Sequence, residues 1–247
     1  MIKQNKLAIS LSVAVSVYGA SSIAMTEEGK KKWSDQAEFS YVTTSGNSDT
    51  QNLALKNSLE YQLTKKVKLK WDVSALRGES DGTLSSESYA TSLRTDYDYS
   101  KSLFVFLVTG WEKDEFAGVK SKLFIGPGAG YNILSGPKHT MATEAGINYV
   151  QEEFTNDTDN SYANGRLFGE YGYQFNEKSK FTQTLEYLHD FDEVDNFNVN
   201  SETSVTTAFT DIFSLKVGYT VKYDNEPLSS AYKKTDSVLA ATLLANF

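Results

Sequence analysis

The chain has 247 residues, no cysteine, three prolines and a formal charge of −8. That length accommodates one large domain or two small ones, and 40% apolar residues excludes a disordered chain. The missing cysteines exclude a disulfide scaffold or thiolate metal site, two histidines speak against a His-rich zinc site, and the acidic balance speaks against a nucleic-acid binder, which needs a basic face.

Residues 1–24 read as a secretory signal. Lys3 and Lys6 give a charged start, Leu7 to Val17 is an apolar stretch, and Ser22-Ile23-Ala24 supplies the small residues of a cleavage site. A spanning helix needs ~20 apolar residues, and the chain turns polar between Tyr18 and Ser22. Cleavage after Ala24 removes Lys3 and Lys6, takes the charge from −8 to −10, and leaves 25–247 as the mature domain.

From Trp33 onward the hydrophobic period is two. Leu53, Leu55, Leu59, Tyr61 and Leu63 share one parity, with Lys56, Ser58, Glu60 and Gln62 on the other. Further on, Phe213, Leu215, Val217, Tyr219, Val221 and Tyr223 alternate with Ser214, Lys216, Gly218, Thr220 and Lys222. A period of two means strand, with one apolar and one polar face. Twelve such segments are expected, near 33–43, 51–63, 66–77, 86–99, 103–114, 120–133, 140–153, 162–175, 180–191, 197–209, 212–224 and 234–247. Each comprises ~10–12 residues of strand, the length of a tilted membrane strand, against ~5–6 in an ordinary soluble sheet. The apolar face stays on odd numbers, so the connections preserve parity, as in a hairpin meander.

Connections near 64–65, 100–102, 134–139, 176–179 and 210–211 are short. Those at 44–50, 78–85, 115–119, 154–161, 192–196 and 225–233 are mostly longer and richer in Gly, Ser, Asn and Asp. Short turns at one end and long loops at the other are the pattern of an outer-membrane barrel, and an even strand count puts both termini at the short-turn, periplasmic end.

Alternation alone also fits a soluble barrel with an apolar interior. Three features favour an apolar exterior in lipid. Phe247, Ala245 and Leu243 end an alternating segment that resembles the C-terminal insertion signal read by the barrel assembly machinery. Odd-numbered aromatics gather at segment ends, Trp33, Tyr61, Tyr97, Tyr131 and Tyr173 toward one side and Tyr41, Tyr89, Trp111, Tyr149 and Tyr187 toward the other, as two interfacial girdles would. Charges within the segments take the even face: Glu60, Asp72, Arg94, Asp96, Glu144, Arg166, Glu170, Glu186, Glu202 and Lys216. These are the candidate lumen charges of an all-β, antiparallel, up-and-down transmembrane barrel of about 12 strands.

Even-numbered glycines (Gly110, Gly126, Gly128, Gly130, Gly146, Gly172, Gly218) accompany bulky even residues such as Phe104, Phe106, Phe124 and Phe168. Glycine relieves crowding in a narrow barrel, and a neighbouring ring can cover it. Pro127 removes a ladder donor and predicts a bulge or irregular pairing in its segment. Gly126 to Gly130 lacks the Lys-Ser/Thr pair and following helix of a phosphate loop. Ser201 and His189 share the outward face and would be the pair of a lipid-surface hydrolase; an interfacial His beside an unrelated Ser is the simpler reading. Asp157 and Asp159, or Asp190, Asp192 and Asp195, offer oxygen ligands for a divalent cation but lack EF-hand spacing.

Several stretches carry a family resemblance: Trp33 at the head of the first strand, the Thr44-Ser45-Gly46-Asn47-Ser48-Asp49-Thr50 loop, Leu103-Phe104-Val105-Phe106, the run Trp111 to Gly118, and Gly126-Pro127-Gly128-Ala129-Gly130-Tyr131. The mature chain resembles domain-of-unknown-function family 481, the YdiY-like, salt-induced outer-membrane proteins. The resemblance implies an outer-membrane barrel without an established activity, and no catalytic or ligand residue to carry over.

The expectation is a non-enzymatic barrel in the Gram-negative outer membrane, without cofactor. It would be a narrow channel or envelope-integrity protein linked to salt stress, or alternatively a filled barrel displaying acidic loops. Its partners would be membrane lipid and lipopolysaccharide, the assembly machinery during insertion, and small solutes or divalent cations, with no nucleic acid.

Overall fold

A computed structural model describes residues 32–44, 50–226 and 234–247; the expected signal at 1–24 and the body of the Thr44–Thr50 loop lie outside them. Twelve strands follow one another: β1 (Trp33–Thr44), β2 (Thr50–Gln62), β3 (Val67–Ser80), β4 (Thr83–Asp98), β5 (Leu103–Asp114), β6 (Val119–Ser135), β7 (His139–Phe154), β8 (Asp159–Gln174), β9 (Ser179–Asp190), β10 (Phe197–Ala208), β11 (Phe213–Asp224) and β12 (Thr235–Asn246). Every strand pairs antiparallel with its neighbours in sequence, and β12 closes onto β1. At that seam Phe39 faces Leu243 and Ala37 faces Ala245, and the Phe247 N–H donates to the Asp35 carbonyl at 2.9 Å. Closure matters because an open edge in lipid would leave backbone groups without partners.

The period of two is visible in the burial of each strand. Along β5, Phe104, Phe106 and Val108 are buried while Leu103, Val105 and Leu107 are exposed. Across the barrel the odd-numbered face is a nearly continuous apolar exterior, including Trp71, Leu93, Leu123, Ile147, Leu167, Leu185 and Val217. A strand of 12 residues is ~40 Å long and, at a tilt of ~45°, crosses ~28 Å, the height of a bilayer's hydrocarbon core. Polar hydrogens on the exterior find partners within the wall: Trp71 Nε1 donates to Thr91 Oγ1 and Trp111 Nε1 to Ser121 Oγ, both at 3.0 Å. Exterior rings also meet near the strand ends, as with Tyr173 and Phe175 at one end and Phe197 and Tyr223 at the other.

One local expectation needs correction. Residues 78–85 do not form a long loop: β3 and β4 run to a two-residue turn at Asp81-Gly82, both at positive φ (50° and 72°). Asp-Gly is the pair a tight hairpin turn favours, because glycine takes the left-handed conformation without steric penalty. The asymmetry between the two ends therefore lies partly in strand length, with β4 and β6–β8 reaching 16–17 residues. The irregular pairing expected around Pro127 is present, without a bulge at the proline itself. Its pairing with Leu107 on β5 is regular, while the β6–β7 ladder lapses at Gly126 and Pro127 and resumes at Gly128 without a change of register.

The inward glycines have a specific use. Phe104 sits opposite Gly130, Phe106 opposite Gly128, and Phe124 opposite Gly110, and in each case the space a Cβ would need is occupied by the ring. Gly128→Val is thus expected to lower stability by about 1–3 kcal/mol through overpacking. Gly169, which has open space where a Cβ would go, should tolerate alanine within about 0.5 kcal/mol. Urea unfolding of the vesicle-inserted barrel, followed by tryptophan fluorescence, measures both.

Candidate functional site

The interior has two unlike halves. Beside β4–β9 it is filled. Phe104, Phe106, Val108, Phe124 and Val150 form a buried cluster with Tyr162 against it, and Tyr162 Oη donates to Glu152 at 3.2 Å. Next to this cluster lies an ionic network. Glu144 of β7 accepts two hydrogen bonds from Arg94 of β4, at 2.8 and 3.2 Å, and one from Arg166 of β8 at 2.7 Å. Arg94 also holds Asp96 at 2.8 Å, and Arg166 holds Glu186 of β9 at 2.6 Å. Asn200 of β10 donates to the other Glu186 oxygen at 3.0 Å. All five charged residues are at most 4% exposed.

Glycine makes this reach possible. With β5 and β6 lying between β4 and β7, the Arg94 guanidinium rests 4.1 Å from the centre of the Phe106 ring, which itself lies over Gly128. Arg166 stands 4.8 Å from the Phe168 ring in the same way. Bidentate geometry and ring contact suit arginine where lysine would not serve. Taking such ions out of water is costly, so the network is read as an ordered filling of the barrel rather than as a source of net stability.

The other half, walled mainly by β1–β3 and β9–β12, holds a cavity of about 240 Å³ toward the short-turn end. Small residues create it: Ser58, Ser74, Thr182, Thr184, Ser204 and Thr206 face it. Three ion pairs line it, Lys216 with Glu202 at 2.7 Å and with Glu38 at 3.9 Å, and Lys70 with Asp72 at 3.4 Å. Glu170, Lys56 and Lys180 also face the cavity. Its wall thus carries four carboxylates and four ammonium groups, balanced in charge.

Of the candidate lumen charges, then, Arg94, Asp96, Glu144, Arg166 and Glu186 come together in the network, Asp72, Glu170, Glu202 and Lys216 line the cavity, and Glu60 stands opposite Lys70 on the adjacent strand. Glu38, Lys56, Lys70 and Lys180 were not singled out in the sequence, although their even numbering put them on the same face. Phe247 and Leu243 are exposed on the exterior, and Ala245 is half-buried at the closing seam.

Ser201 and His189 are not brought together. Ser201 faces Leu185 and His189 faces Phe197, four residues further along β10. The Ser201 hydroxyl accepts from Gln183 Nε2 at 2.9 Å, and His189 Nδ1 lies 3.2 Å from Tyr187 Oη. Nor are the loop acids gathered: among the described residues no group of three or more His, Asp or Glu is placed to share a metal ion. Asp190 instead fixes its own loop, accepting from the Asp192 N–H and from Asn196 Nδ2.

The family model for "Protein of unknown function, DUF481" matches residues 37–247. The chain belongs to this family. It is 27% identical over 212 residues to the uncharacterized protein YdiY of Escherichia coli (strain K12), covering 84% of this chain and 80% of that one. The fold is similar to the COG4313 outer membrane channel from Pseudomonas putida F1, with a TM-score of 0.54, 12% identity, and 87% and 95% of the two chains covered. It is also similar to the translocator domain of the autotransporter NalP from Neisseria meningitidis, with a TM-score of 0.53, 9% identity, and 90% of each chain covered. At these identities the likeness concerns the fold alone: a closed transmembrane barrel of the outer-membrane kind. This chain shares that architecture with a channel and with a translocator domain, so the interior must supply the functional argument.

Proposed function

We propose that the chain is a narrow outer-membrane channel, passing small solutes through the polar half of its lumen beside the ionic and aromatic filling. The observation that carries this reading is the 240 Å³ cavity, walled by hydroxyls and balanced charges in a barrel whose other half is packed with buried side chains. A filled structural barrel has no need of small hydroxyl residues facing a cavity from β2, β3, β9 and β10. Twelve strands also fall between the filled eight-strand barrel and the open ~16-strand porin.

Liposome influx tests the path. Refolded protein should admit solutes the size of an amino acid and exclude oligosaccharides. Ser204→Phe, which places a ring where a buried serine now faces the cavity, should slow influx several-fold while leaving the barrel folded. Unchanged influx in that variant would remove the cavity from the path.

Selectivity should be weakly cationic. The cavity is charge-balanced, so the bias comes from the long-loop end, where Glu79, Asp81, Glu153, Asp157, Asp159, Asp192, Glu193 and Asp195 concentrate negative charge. Reversal potentials should show the preference at low salt and lose it toward 1 M, where the screening length is ~3 Å. An anion preference would contradict this assignment. A role in the envelope's response to salt extends the same reading, and slowed growth of a deletion strain in high NaCl is its expected outcome.

A further inference from the structure

We infer that the lumen cavity is a binding site for a small zwitterion, a molecule carrying one ammonium and one carboxylate group a few ångströms apart. The inference rests on the reading of the lumen as a solute path and names the class of solute. Size sets the first limit: about 240 Å³ lies below the ~300–1,000 Å³ of pockets for drug-sized ligands, so the occupant is of amino-acid size.

Charge sets the second. Lys216 is committed to Glu202 and Glu38, with Lys56 opposite Glu38 in the β1–β2 register to offset the second carboxylate, and Lys70 is committed to Asp72. That leaves Glu170 of β8 and Lys180 of β9 facing the cavity with neither an ion pair among the described residues nor an opposite charge facing them on the neighbouring strands. They do not pair with each other because of register. Glu170 stands opposite Thr184, and Lys180 lies four residues nearer the turn on that same strand. Glu170 is half-buried inside, while Lys180 is exposed at the rim. The hydroxyl-bearing Thr182 and Thr184 occupy the wall between them.

A simple cation would neutralise Glu170 and leave the lysine alone, and a simple anion would do the reverse. Either would also put a net charge into a cavity that is balanced. A zwitterion satisfies both groups at once and keeps the balance, its ammonium directed inward to Glu170 and its carboxylate toward Lys180. The surrounding hydroxyls accept or donate to either end. Charge-assisted hydrogen bonds at both ends are stronger than neutral ones.

The test uses the mature chain refolded in detergent micelles, with folding verified by heat-modifiable electrophoretic mobility, and titration calorimetry of three probes of equal chain length. γ-Aminobutyrate, the zwitterion, should bind at least about tenfold more tightly than butylamine or butyrate, the step expected when one charged partner is lost. Glu170→Gln and Lys180→Met should each weaken γ-aminobutyrate by a similar factor, and Lys180→Met, at an exposed rim position, does not endanger folding. Equal affinity for all three probes, no binding by the folded barrel, or insensitivity to both substitutions would overturn the inference. Because micelles carry no current, failure here is separate from failure of the channel reading. A barrel that conducts without preferring the zwitterion overturns only this inference, and one that binds it without conducting supports the site and overturns only the channel.

Discussion

Replacing Arg166 with methionine is expected to destabilise the inserted barrel by about 3–5 kcal/mol, the cost of removing one partner from a buried ionic network. The network holds two guanidinium groups and three carboxylates, a formal charge of −1. Arg166→Met makes it −2 and takes hydrogen bonds from both Glu144 and Glu186, which are 2% and 4% exposed. Water does not reach these carboxylates to compensate. The double variant Arg166→Met/Glu186→Gln restores the charge of −1 and keeps the Arg94–Glu144–Asp96 part intact, so it should recover most of the loss. Urea titrations of vesicle-inserted protein measure all three. A single variant as stable as the parent would mean that water enters the filled half of the lumen, which would undo the division of the interior into a packed side and a passable one.

Leu185→Arg should cost about 2–4 kcal/mol, the price of an arginine on the lipid face near the bilayer midplane. Leu185 lies near the middle of β9 (Ser179–Asp190), is 53% exposed, and faces outward between Gly169 and Ser201. The same change at Ser237, third in β12 (Thr235–Asn246) and on the same odd face, should cost ~0–1 kcal/mol, because the penalty fades toward the interface. The contrast separates a lipid-facing exterior from a soluble barrel's wet one, where both substitutions would be nearly neutral. Equal, small effects at the two positions would contradict the membrane reading.

Much of this architecture was legible in the sequence because a barrel wall obeys a local rule. Each residue's face follows from its parity, and parity holds along the body of every described hairpin, slipping by one only beside the turns at Glu79–Leu84, Asp114–Val119 and Leu134–Met141 and at the Val119–Phe154 end of β6–β7, so Phe104 and Glu144 could be assigned inward without knowledge of any distant contact. Strand ends were less legible. Asp81-Gly82 sits among small polar residues that read as loop, yet a tight turn there lets both strands continue beyond the membrane. Pro127 pointed to a bulge or irregular pairing without saying which; its missing N–H interrupts pairing on one side only and leaves the register intact.

The interior was legible only as an inventory. That Arg94 meets Glu144 rather than the nearer-numbered Glu112 depends on the stagger of strands around the barrel and on the room left by Gly128 beneath Phe106. Neither follows from one strand's pattern. Lys180 and Glu170 illustrate the same limit: both are visibly even-numbered, but their offset along the cavity wall is a property of the β8–β9 register.

Single-channel recording of refolded protein comprising residues 25–247 in a planar bilayer tests the channel reading most directly. Discrete steps are expected, small beside those of an open ~16-strand porin, with a slight cation preference that fades as salt rises. A correctly folded barrel that stays silent, or one that opens in steps as large as a wide porin's, would contradict it.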